Sequence, residues 1–516
     1  MNTSLLEHLN DAQQEAVTHR EGPLMIVAGA GTGKTTVITR RIAWLIDQGL
    51  AKPEEILALT FTEKAAGEME ERVDLLLPYG YVDLQISTFH AFCERLLHEF
   101  GAEIGLSPNF VVVTELDAWL LTRQELDRFA LEYFKPLGNP TKYLRSLLQH
   151  FSRAKDAAIF PEQYLDFAQS IQMDTDSMQS GDDVHNEGKR IAELAKAYHT
   201  YQQILLSHDR LDFGDLILST LKLLKDRPFV AKKVRGRFKF ILVDEFQDTN
   251  HAQYELVRLL CEPRRNITVV GDDDQAIYKF RGASIENILR FQTDYPETTR
   301  VVLTQNYRSA QSILDHAYEF IQMNNPRRLE AEHGLSKKLL SNQPENGIIE
   351  HLHTSTSDEE VQTVIRKIRE LKQHQPDVNW SDMAILVRSN DAGTNFAHGF
   401  EKNNIPFQFY ALSGLYNKPV IINVMALLRV IDQPHDSPSM YRVLTSPMVD
   451  VSPTCIVELN RLADRKGKSL YEMIQTARAI SAFQTDDNQK LDGLIRQLAD
   501  LSQLAKTKSA TEIFLL

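Results

Sequence analysis

Residues 28–36 have the sequence AGAGTGKTT and directly follow an apolar segment, PLMIV at 23–27, that predicts a buried β-strand. The nine residues fit the pattern of a phosphate-binding loop, with Ala28 in place of the usual first glycine and GKT at the required offsets. Small residues let backbone N–H groups close around phosphates. Lys34 would place a cation beside the β- and γ-phosphates, and the Thr35 hydroxyl would ligate Mg2+. The stretch therefore predicts a nucleotide site at the end of a strand.

Four further apolar segments have the length and composition of buried strands. They cover 56–60, 241–243, 267–270 and 301–303, and each is followed directly by polar residues. Longer segments with helical periodicity separate them, which is typical of a parallel sheet wrapped by helices. Because ligands bind beyond the carboxyl ends of the strands in open α/β sheets, we expect the polar clusters to converge on one crevice.

The alternation stops between about 106 and 205. Helical periodicity there, with the polar stretch DTDSMQSGDD at 174–183, predicts a helical insertion that carries a mobile loop. The break DYPETT at 294–299 contains Pro and Thr and is predicted to join two sheets. Strand-like patterning resumes at IIEHLH (348–353) and at MAILVR (383–388).

The composition narrows the class of protein. A chain of 516 residues is long enough for roughly three or four domains. Cys93, Cys261 and Cys455 are isolated and lack CxxC spacing, so neither a disulfide framework nor a structural zinc site is predicted. The net charge of -13 argues against a protein that coats duplex DNA, but leaves room for a basic groove. No long apolar run or signal peptide is present, so we expect a cytoplasmic protein without a membrane partner.

Two adjacent acids follow the predicted strand at 241–243. Asp244 and Glu245 stand where a phosphate loop needs a second magnesium ligand and a residue that orients the attacking water. Adjacent acids at a strand end are commonly only solvated, but the upstream loop favours the catalytic interpretation. We therefore expect Asp244 to hold the metal through water and Glu245 to polarise the attacking water.

Eight segments resemble, in order, the first helicase motifs of the UvrD/Rep/PcrA group of superfamily 1. They are LNDAQQEAV at 9–17, AGAGTGKTT at 28–36, LTFTEKAAGEM at 59–69, STFHAFCERLL at 87–97, LDFGDLI at 211–217, VDEFQDTN at 243–250, VVGDDDQAIYKFRGA at 269–283 and LTQNYRS at 303–309. The DEFQD and GDDDQ strings discriminate further, because RNA helicases of the DEAD-box type carry different sequences at both places.

The resemblance implies a fold and an activity. The implied fold is α/β, with two RecA-like parallel-sheet P-loop domains, the second incomplete, and inserted helical subdomains. The expected boundaries are 1–105 and 206–298 for the first RecA-like domain, 106–205 for a helical insertion, 299–433 for the first part of the second RecA-like domain, and 434–516 for the start of a second helical insertion. The implied activity is 3′ to 5′ movement on single-stranded DNA and unwinding of duplex junctions in repair, recombination or replication, driven by ATP and Mg2+.

The resemblance also assigns roles around the nucleotide. Gln13 would contact the adenine edge, although an amide on an N-terminal helix would otherwise be taken as solvated. Tyr307 would stack on the base and Gln275 would sense the γ-phosphate. Arg308 would reach the γ-phosphate from the second sheet, which would couple hydrolysis to closure of the cleft. The expected catalytic residues are Lys34, Glu245, Gln275 and Arg308, and the expected metal ligands are Thr35 and Asp244. The nucleotide-binding set is Gln13, Ala28, Gly29, Ala30, Gly31, Thr32, Gly33, Lys34, Thr35, Thr36, Tyr307 and Arg308.

Contacts to single-stranded DNA require aromatic faces for bases and small polar or cationic groups for phosphates. The positions that match the family in this respect are Phe61, Thr62, Thr88, Phe89, His90, Tyr278, Phe280, Arg281 and Arg388. Taken singly, such aromatics are more often core residues. The basic segment KKVRGRFK at 232–239 is interpreted as a solvated turn before the DEFQD strand, rather than as a nucleic-acid patch.

The chain also departs from the family pattern. After Asp432 the sequence is helical in pattern and resembles neither of the later motifs that complete the second motor domain, so a fragment is expected, with nucleotide binding but weak hydrolysis and little unwinding. Thr36 stands where relatives often carry arginine, and the segment 446–453 lacks the glycine of a duplex-binding turn. Two alternatives stay open: the motor subunit of a helicase-nuclease with a nuclease partner domain, and a non-motor module that binds ATP and DNA.

Overall fold

The computed structural model describes residues 5–77, 84–177, 182–278, 282, 285–410, 419–449, 451–476, 485–505, 507, 508 and 512. The chain divides into two compact units, Met1–Ile349 and Glu350–Leu516.

The first unit is built on a parallel sheet of six strands. The strands are β1 (Leu24–Ala28), β2 (Ile56–Thr60), β3 (Gln85–Thr88), β6 (Phe240–Val243), β7 (Ile267–Gly271) and β8 (Thr299–Leu303), in the order β3-β2-β6-β7-β1-β8. Two short parallel pairs lie outside this sheet, β4 (Val111–Val112) with β5 (Arg210–Leu211) and β9 (Gln305–Asn306) with β10 (Leu340–Ser341). The α/β class with a parallel sheet, as predicted, is confirmed.

Helices cover both faces of this sheet. In the first unit they are α1 (Asp11–Thr18), α2 (Lys34–Asp47), α3 (Glu63–Leu76), α4 (Phe89–Phe100), α5 (Glu115–Gln124), α6 (Leu144–Asp156), α7 (Pro161–Ser177), α8 (Asp182–Ser207), α9 (Phe213–Asp226), α10 (Pro228–Arg237), α11 (His251–Cys261), α12 (Ile285–Asp294), α13 (Gln311–Ile321) and α14 (Leu329–His333). Alternate residues of β1 enter different cores: Met25 and Val27 lie in one cluster, and Leu24 and Ile26 lie in the other. Burial on both faces explains why the strands are continuously apolar.

Side-chain caps start the helices that follow several strands, and they fix where the motif residues stand. Thr62 accepts a hydrogen bond from Ala65 N at the start of α3, and Thr88 accepts one from Ala91 N at the start of α4. Asn250 forms a capping box with Gln253 at the start of α11. Such caps satisfy backbone donors that the first turn leaves free. The polar residues after β2, β3 and β6 are therefore held at one edge of the sheet.

The predicted helical insertion corresponds to helices α5 to α8, which pack around Phe151, Tyr198 and Tyr201. Both ends of the predicted mobile loop at 174–183 are helical, because α7 extends to Ser177 and α8 begins at Asp182. Residues 178–181 lie outside the described part of the chain.

A buried ion cluster joins this insertion to the sheet-bearing core. The Nζ atom of Lys155 lies 2.7 Å from Asp212 Oδ2 and 2.8 Å from Asp215 Oδ1, both in the LDFGDLI motif. Asp156 accepts a hydrogen bond of 2.7 Å from Asn250 Nδ2, directly after the DEFQD motif. Burial and the neighbouring Asp212 charge raise the pKa of Asp156 to about 7. The end of α6 is therefore tied to two of the family motifs.

Three expectations about strands are wrong. The segment 294–299 does not join two sheets, because β8 pairs in parallel with β1 and so belongs to the first sheet. Among the described residues, 348–353 and 383–388 form no strand. Apolar patterning favours a strand only where a neighbouring strand supplies hydrogen bonds, and no described residue after Ser341 belongs to one.

The second unit is helical in its described residues. Its helices are α15 (Ser357–His374), α16 (Asn390–Lys402), α17 (Pro419–Asp432), α18 (Ser437–Thr445), α19 (Pro453–Lys466), α20 (Leu470–Gln475) and α21 (Thr485–Leu504). Helices α15 and α16 pack around Val361, Ile365 and Phe400, while α17 to α21 share a separate core. The helical pattern predicted after Asp432 is confirmed. The remaining domain limits stay predictions.

Candidate nucleotide site

The loop between β1 and α2 has the backbone of an anion cradle. Gly31 and Gly33 have φ values of 72° and 87°, which L-residues with a side chain rarely adopt. Gly33 is the N-cap of α2 and offers no side-chain acceptor, so the first N–H groups of the helix are left for another partner. A helix N-terminus with free N–H groups after a glycine-rich loop suits a phosphate. Residues 28–36 thus have the geometry that the sequence predicts.

Residues 306–309, which begin at the last residue of β9, lie directly against this loop. Asn306 Nδ2 donates to Ala30 O at 2.6 Å, and Tyr307 N donates to Gly31 O at 2.9 Å. The Asn306 carboxamide oxygen accepts from the backbone N–H groups of Arg308 and Ser309. A Cβ on Gly31 would lie 2.8 Å from Arg308 Cβ, so glycine is required for the close approach.

The expected origin of Arg308 in a second sheet stays a prediction. Arg308 belongs to the same compact unit as the loop and follows β9, which pairs with β10 in a two-stranded sheet separate from the six-stranded one. The short pair β9 and β10 holds its backbone beside Gly31. The Arg308 side chain is exposed. Local hydrogen bonds therefore hold the Arg308 backbone beside the phosphate loop.

Of the two acids that follow β6, Glu245 contacts the loop lysine, Lys34. Lys34 Nζ lies 2.8 Å from Glu245 Oε2 and donates to Gln275 Oε1 at 3.3 Å. Glu245 has φ 48° and ψ 46°, a left-handed conformation that costs a non-glycine residue energy and recurs at functional sites. The structure thus brings Lys34, Glu245 and Gln275 into one hydrogen-bonded group, as the convergence of polar clusters predicts.

Gln247 was not assigned a role from the sequence, although it lies within the quoted DEFQD string. It is buried, its Nε2 donates to Glu245 Oε2 at 2.8 Å, and its Oε1 accepts from Asp272 N at 3.0 Å. The side chain therefore links the two acidic motifs and orients Glu245. Asn306 was missed for a similar reason, because only the folded chain shows which backbone groups these amides bind.

Two buried carboxyl groups near Lys34 fit a divalent cation. Burial and the charge of Glu245 raise the pKa of Asp244 to about 6, and the same two causes raise the pKa of Asp248 to about 6. Asp248 Oδ1 is buried without a hydrogen-bond partner. Thr35 lies in the first turn of α2. A cation with oxygen ligands would relieve the cost of ionising these carboxyls.

The side of the loop away from the acids has the groups expected around a base. Gln13 is buried and donates from Nε2 to Thr32 O at 2.9 Å. Asn10 caps the same helix α1 and donates to the Tyr307 hydroxyl at 2.9 Å. Gln13 and Tyr307, which are far apart in the sequence, are thereby held beside the same loop. Thr36 follows on the first turn of α2.

The residues predicted to contact DNA lie in different surroundings. Phe61 and Tyr278 stack with ring centroids 5.6 Å apart and planes inclined by 28°. Thr62 and Thr88 are N-caps, and Thr88 also donates to Glu63 Oε1 at 2.7 Å. The expectation for Phe89 is wrong, because its ring is packed in the main core and has no face for a base.

Four predicted contacts remain. His90 is half-buried, and burial lowers the pKa of its imidazole. Arg388 is exposed in the second unit. Phe280 and Arg281 lie outside the described residues.

One aromatic residue was missed. Phe213 is 53% exposed at the start of α9, and the His90 ring meets it edge-on at 5.7 Å between centroids. The sequence quoted its motif, LDFGDLI, but gave no sign that the phenylalanine points outward while its apolar neighbours enter the core.

The basic segment 232–239 is mostly helix α10, not a turn as predicted, because the segment begins within a helix that starts at Pro228. Its charges have local partners: Arg237 pairs with Glu99, and Lys239 Nζ lies 2.8 Å from Glu55 Oε2. Lys233 lies over the Phe100 ring. These contacts agree with a solvated surface rather than a nucleic-acid patch.

Among the described residues, no helix is both long enough and apolar enough to cross a membrane.

Comparisons with known proteins cover both units. The family model for the UvrD/REP helicase N-terminal domain matches residues 9–296, and the model for the UvrD-like helicase C-terminal domain matches residues 301–509. The ATP-dependent DNA helicase PcrA of Staphylococcus aureus is 34% identical over 476 residues, which are 92% of this chain and 60% of that protein. The PcrA helicase of Leuconostoc citreum is 33% identical over 513 residues, or 99% of this chain and 64% of that protein. The chain thus spans somewhat under two thirds of the length of these relatives, and it belongs to the UvrD/REP helicase family.

Proposed function

We propose that the chain carries the nucleotide-hydrolysing site of an ATP-dependent DNA helicase that moves 3′ to 5′ on single-stranded DNA and opens duplex junctions. One observation carries the proposal: Lys34, Glu245, Gln275 and the segment 306–308 meet at one edge of the sheet. The PcrA relatives, which are ATP-dependent DNA helicases, support it. Repair, recombination or replication is the proposed setting.

The residues suggest a sequence of events at the phosphates. The backbone N–H groups of residues 31–35 bind the phosphate oxygens. The Lys34 ammonium leaves Glu245 and binds the β- and γ-phosphates instead. Glu245, released from Lys34 and still oriented by Gln247, then accepts a proton from the attacking water. Thr35 and Asp244 would hold Mg2+, which would neutralise charge on the phosphates. Arg308 stabilises the charge that develops on the γ-phosphate.

Adjacent strands connect the proposed DNA contacts to the residues proposed for ATP hydrolysis. Phe61 follows β2, and Asp244 follows the neighbouring strand β6. The Asp244 N–H donates to the carbonyl of Leu59, two residues before Phe61, at 2.9 Å. A shift of the acids on hydrolysis would therefore move the Phe61 backbone. We propose Phe61, Thr62, Thr88, His90, Tyr278, Phe280, Arg281 and Arg388 as DNA contacts, and we add Phe213.

Strand separation tests the class and the direction of the activity. At the full length of its relatives, the protein should separate a duplex with a 3′ single-stranded tail in the presence of ATP and Mg2+ at least fivefold faster than the same duplex with a 5′ tail, because a 3′ to 5′ motor loads on the 3′ tail. A blunt duplex and a non-hydrolysable ATP analogue are the controls. ATP hydrolysis without strand separation on either tailed duplex would favour the non-motor module over a helicase.

Partner proteins of the repair or nuclease kind, and a cytoplasmic location, stay predictions.

A further inference from the structure

The segment that follows α14 contacts three parts of the nucleotide site. Lys337 binds the acidic string 272–274, and a Cβ on Gly29 of the phosphate loop would lie 3.0 Å from the Leu339 side chain. Leu340 and Ser341 form β10, which pairs with β9 just before Arg308. In sequence this segment lies about 300 residues after the phosphate loop, and the family motifs quoted above end before it.

Lys337 is buried among three carboxylates. Its Nζ lies 2.6 Å from Asp272 Oδ1 and 2.8 Å from Asp274 Oδ2, and it also pairs with Asp273. Arg328, which is buried as well, holds both oxygens of Asp274 at 2.7 Å. Among the described residues, these acids are the one set of three or more acidic, His or Cys side chains with metal-binding spacing. Because the Lys337 ammonium and the Arg328 guanidinium already bind them, the set is an ion-pair cluster rather than a metal site.

The cluster reaches the catalytic group through Asp272. One oxygen of Asp272 binds Lys337, and the other, Oδ2, accepts from Gln275 Nε2 at 2.8 Å. An ionised carboxylate only accepts hydrogen bonds, so the amide nitrogen of Gln275 must face Asp272. The amide oxygen of Gln275 therefore faces Lys34 Nζ, at 3.3 Å. The Lys337 ammonium, 2.6 Å from Asp272 Oδ1, helps to hold the Asp272 carboxylate where it accepts this hydrogen bond.

We infer that Lys337 is a positioning residue for hydrolysis: through Asp272 it sets which end of the Gln275 amide faces the nucleotide. With its oxygen inward, Gln275 can accept a hydrogen bond from Lys34 or from the attacking water, a role that an inward NH2 group could not fill. Without Lys337, Asp272 lies beside two like charges, and its hold on Gln275 is lost. The inference rests on the proposed nucleotide hydrolysis.

Lys337→Met in the full chain tests this inference, with Lys338→Met as the matched control. Lys338 is the next residue, its side chain is 53% exposed, and it reaches only Asp315, at 3.4 Å, and the Tyr318 ring. We expect Lys337→Met to lower kcat for ATP at least tenfold while the affinity for a fluorescent ATP analogue changes less than threefold. Lys338→Met should keep both values within twofold of the wild type.

A double-mutant cycle separates positioning from a general loss of structure. In a Gln275→Ala background, Lys337→Met should change kcat less than threefold, because the group it orients is gone. A tenfold loss that persists in that background, or a normal kcat for Lys337→Met alone, overturns the inference. Should Lys337→Met not purify as a folded protein, Lys337→Gln, which keeps a donor but not the charge, enters the same cycle with the same criteria. A wild-type chain that hydrolyses no ATP would instead refute the proposed function.

Discussion

Glu245→Gln is expected to lower kcat for ATP hydrolysis by about 10²- to 10⁴-fold, the range for losing a positioned general base. The amide has the size of the carboxylate and can still accept from Gln247 Nε2, which donates to Glu245 Oε2 at 2.8 Å. It cannot take a proton from water at neutral pH. ATP affinity should hold or rise, because the acid that competes with phosphate for Lys34 at 2.8 Å is removed. Steady-state phosphate release and equilibrium binding of a fluorescent ATP analogue measure the two effects.

Glu286→Gln is the matched control for this variant, since Glu286 is an exposed acid in the first turn of α12. Its kcat should stay within twofold of the wild type. If Glu245→Gln retains more than a third of wild-type turnover while folded, the assignment of Glu245 as the base is wrong.

Arg308→Ala is expected to lower kcat by about 10³- to 10⁵-fold, the effect of an arginine that stabilises charge during phosphoryl transfer. The backbone of Arg308 is fixed by Asn306, which bonds its N–H at 2.9 Å and the loop carbonyl of Ala30 at 2.6 Å. Because that anchor uses no atom of the arginine side chain, the alanine variant should fold and bind nucleotide with affinity within about tenfold of the wild type. Arg308→Lys should recover only part of the rate, because a lysine lacks the planar fork of donors.

Arg300→Ala, on strand β8 shortly before Arg308 in the sequence, controls for the loss of a positive charge. Arg300 is exposed and donates to Gln292 at 3.2 Å, away from the phosphate loop. The single-turnover rate of ATP hydrolysis by this variant should stay close to that of the wild type. Equal losses for Arg300→Ala and Arg308→Ala would show that Arg308 has no special part in the reaction.

Much of the catalytic centre can be predicted from the sequence because its residues stand next to strands with a strong apolar signal. The five predicted strands all occur in one sheet, and their carboxyl ends bring Lys34, Glu245 and Gln275 together. Local rules are sufficient there, since a parallel sheet places the ends of its strands at one edge.

What the sequence could not predict depends on contacts between distant segments. The break at 294–299 resembles a domain linker, yet β8 returns to pair with β1. Phe89 and Phe61 cannot be told apart from the sequence, but Phe89 lies in the core and Phe61 stacks on Tyr278. Gln247, Asn306 and Lys337 act through partners 25 or more residues away. Their roles become visible only when the hydrogen bonds are known.

The most direct measurement is phosphate release by the wild-type chain at saturating ATP and Mg2+, with and without an oligodeoxythymidylate. The account predicts measurable turnover that single-stranded DNA accelerates severalfold, since the stacked Phe61 and Tyr278 adjoin the strand ends that carry the acids. A folded chain with no turnover in either condition, or with turnover that is indifferent to DNA at saturating concentration, would contradict it.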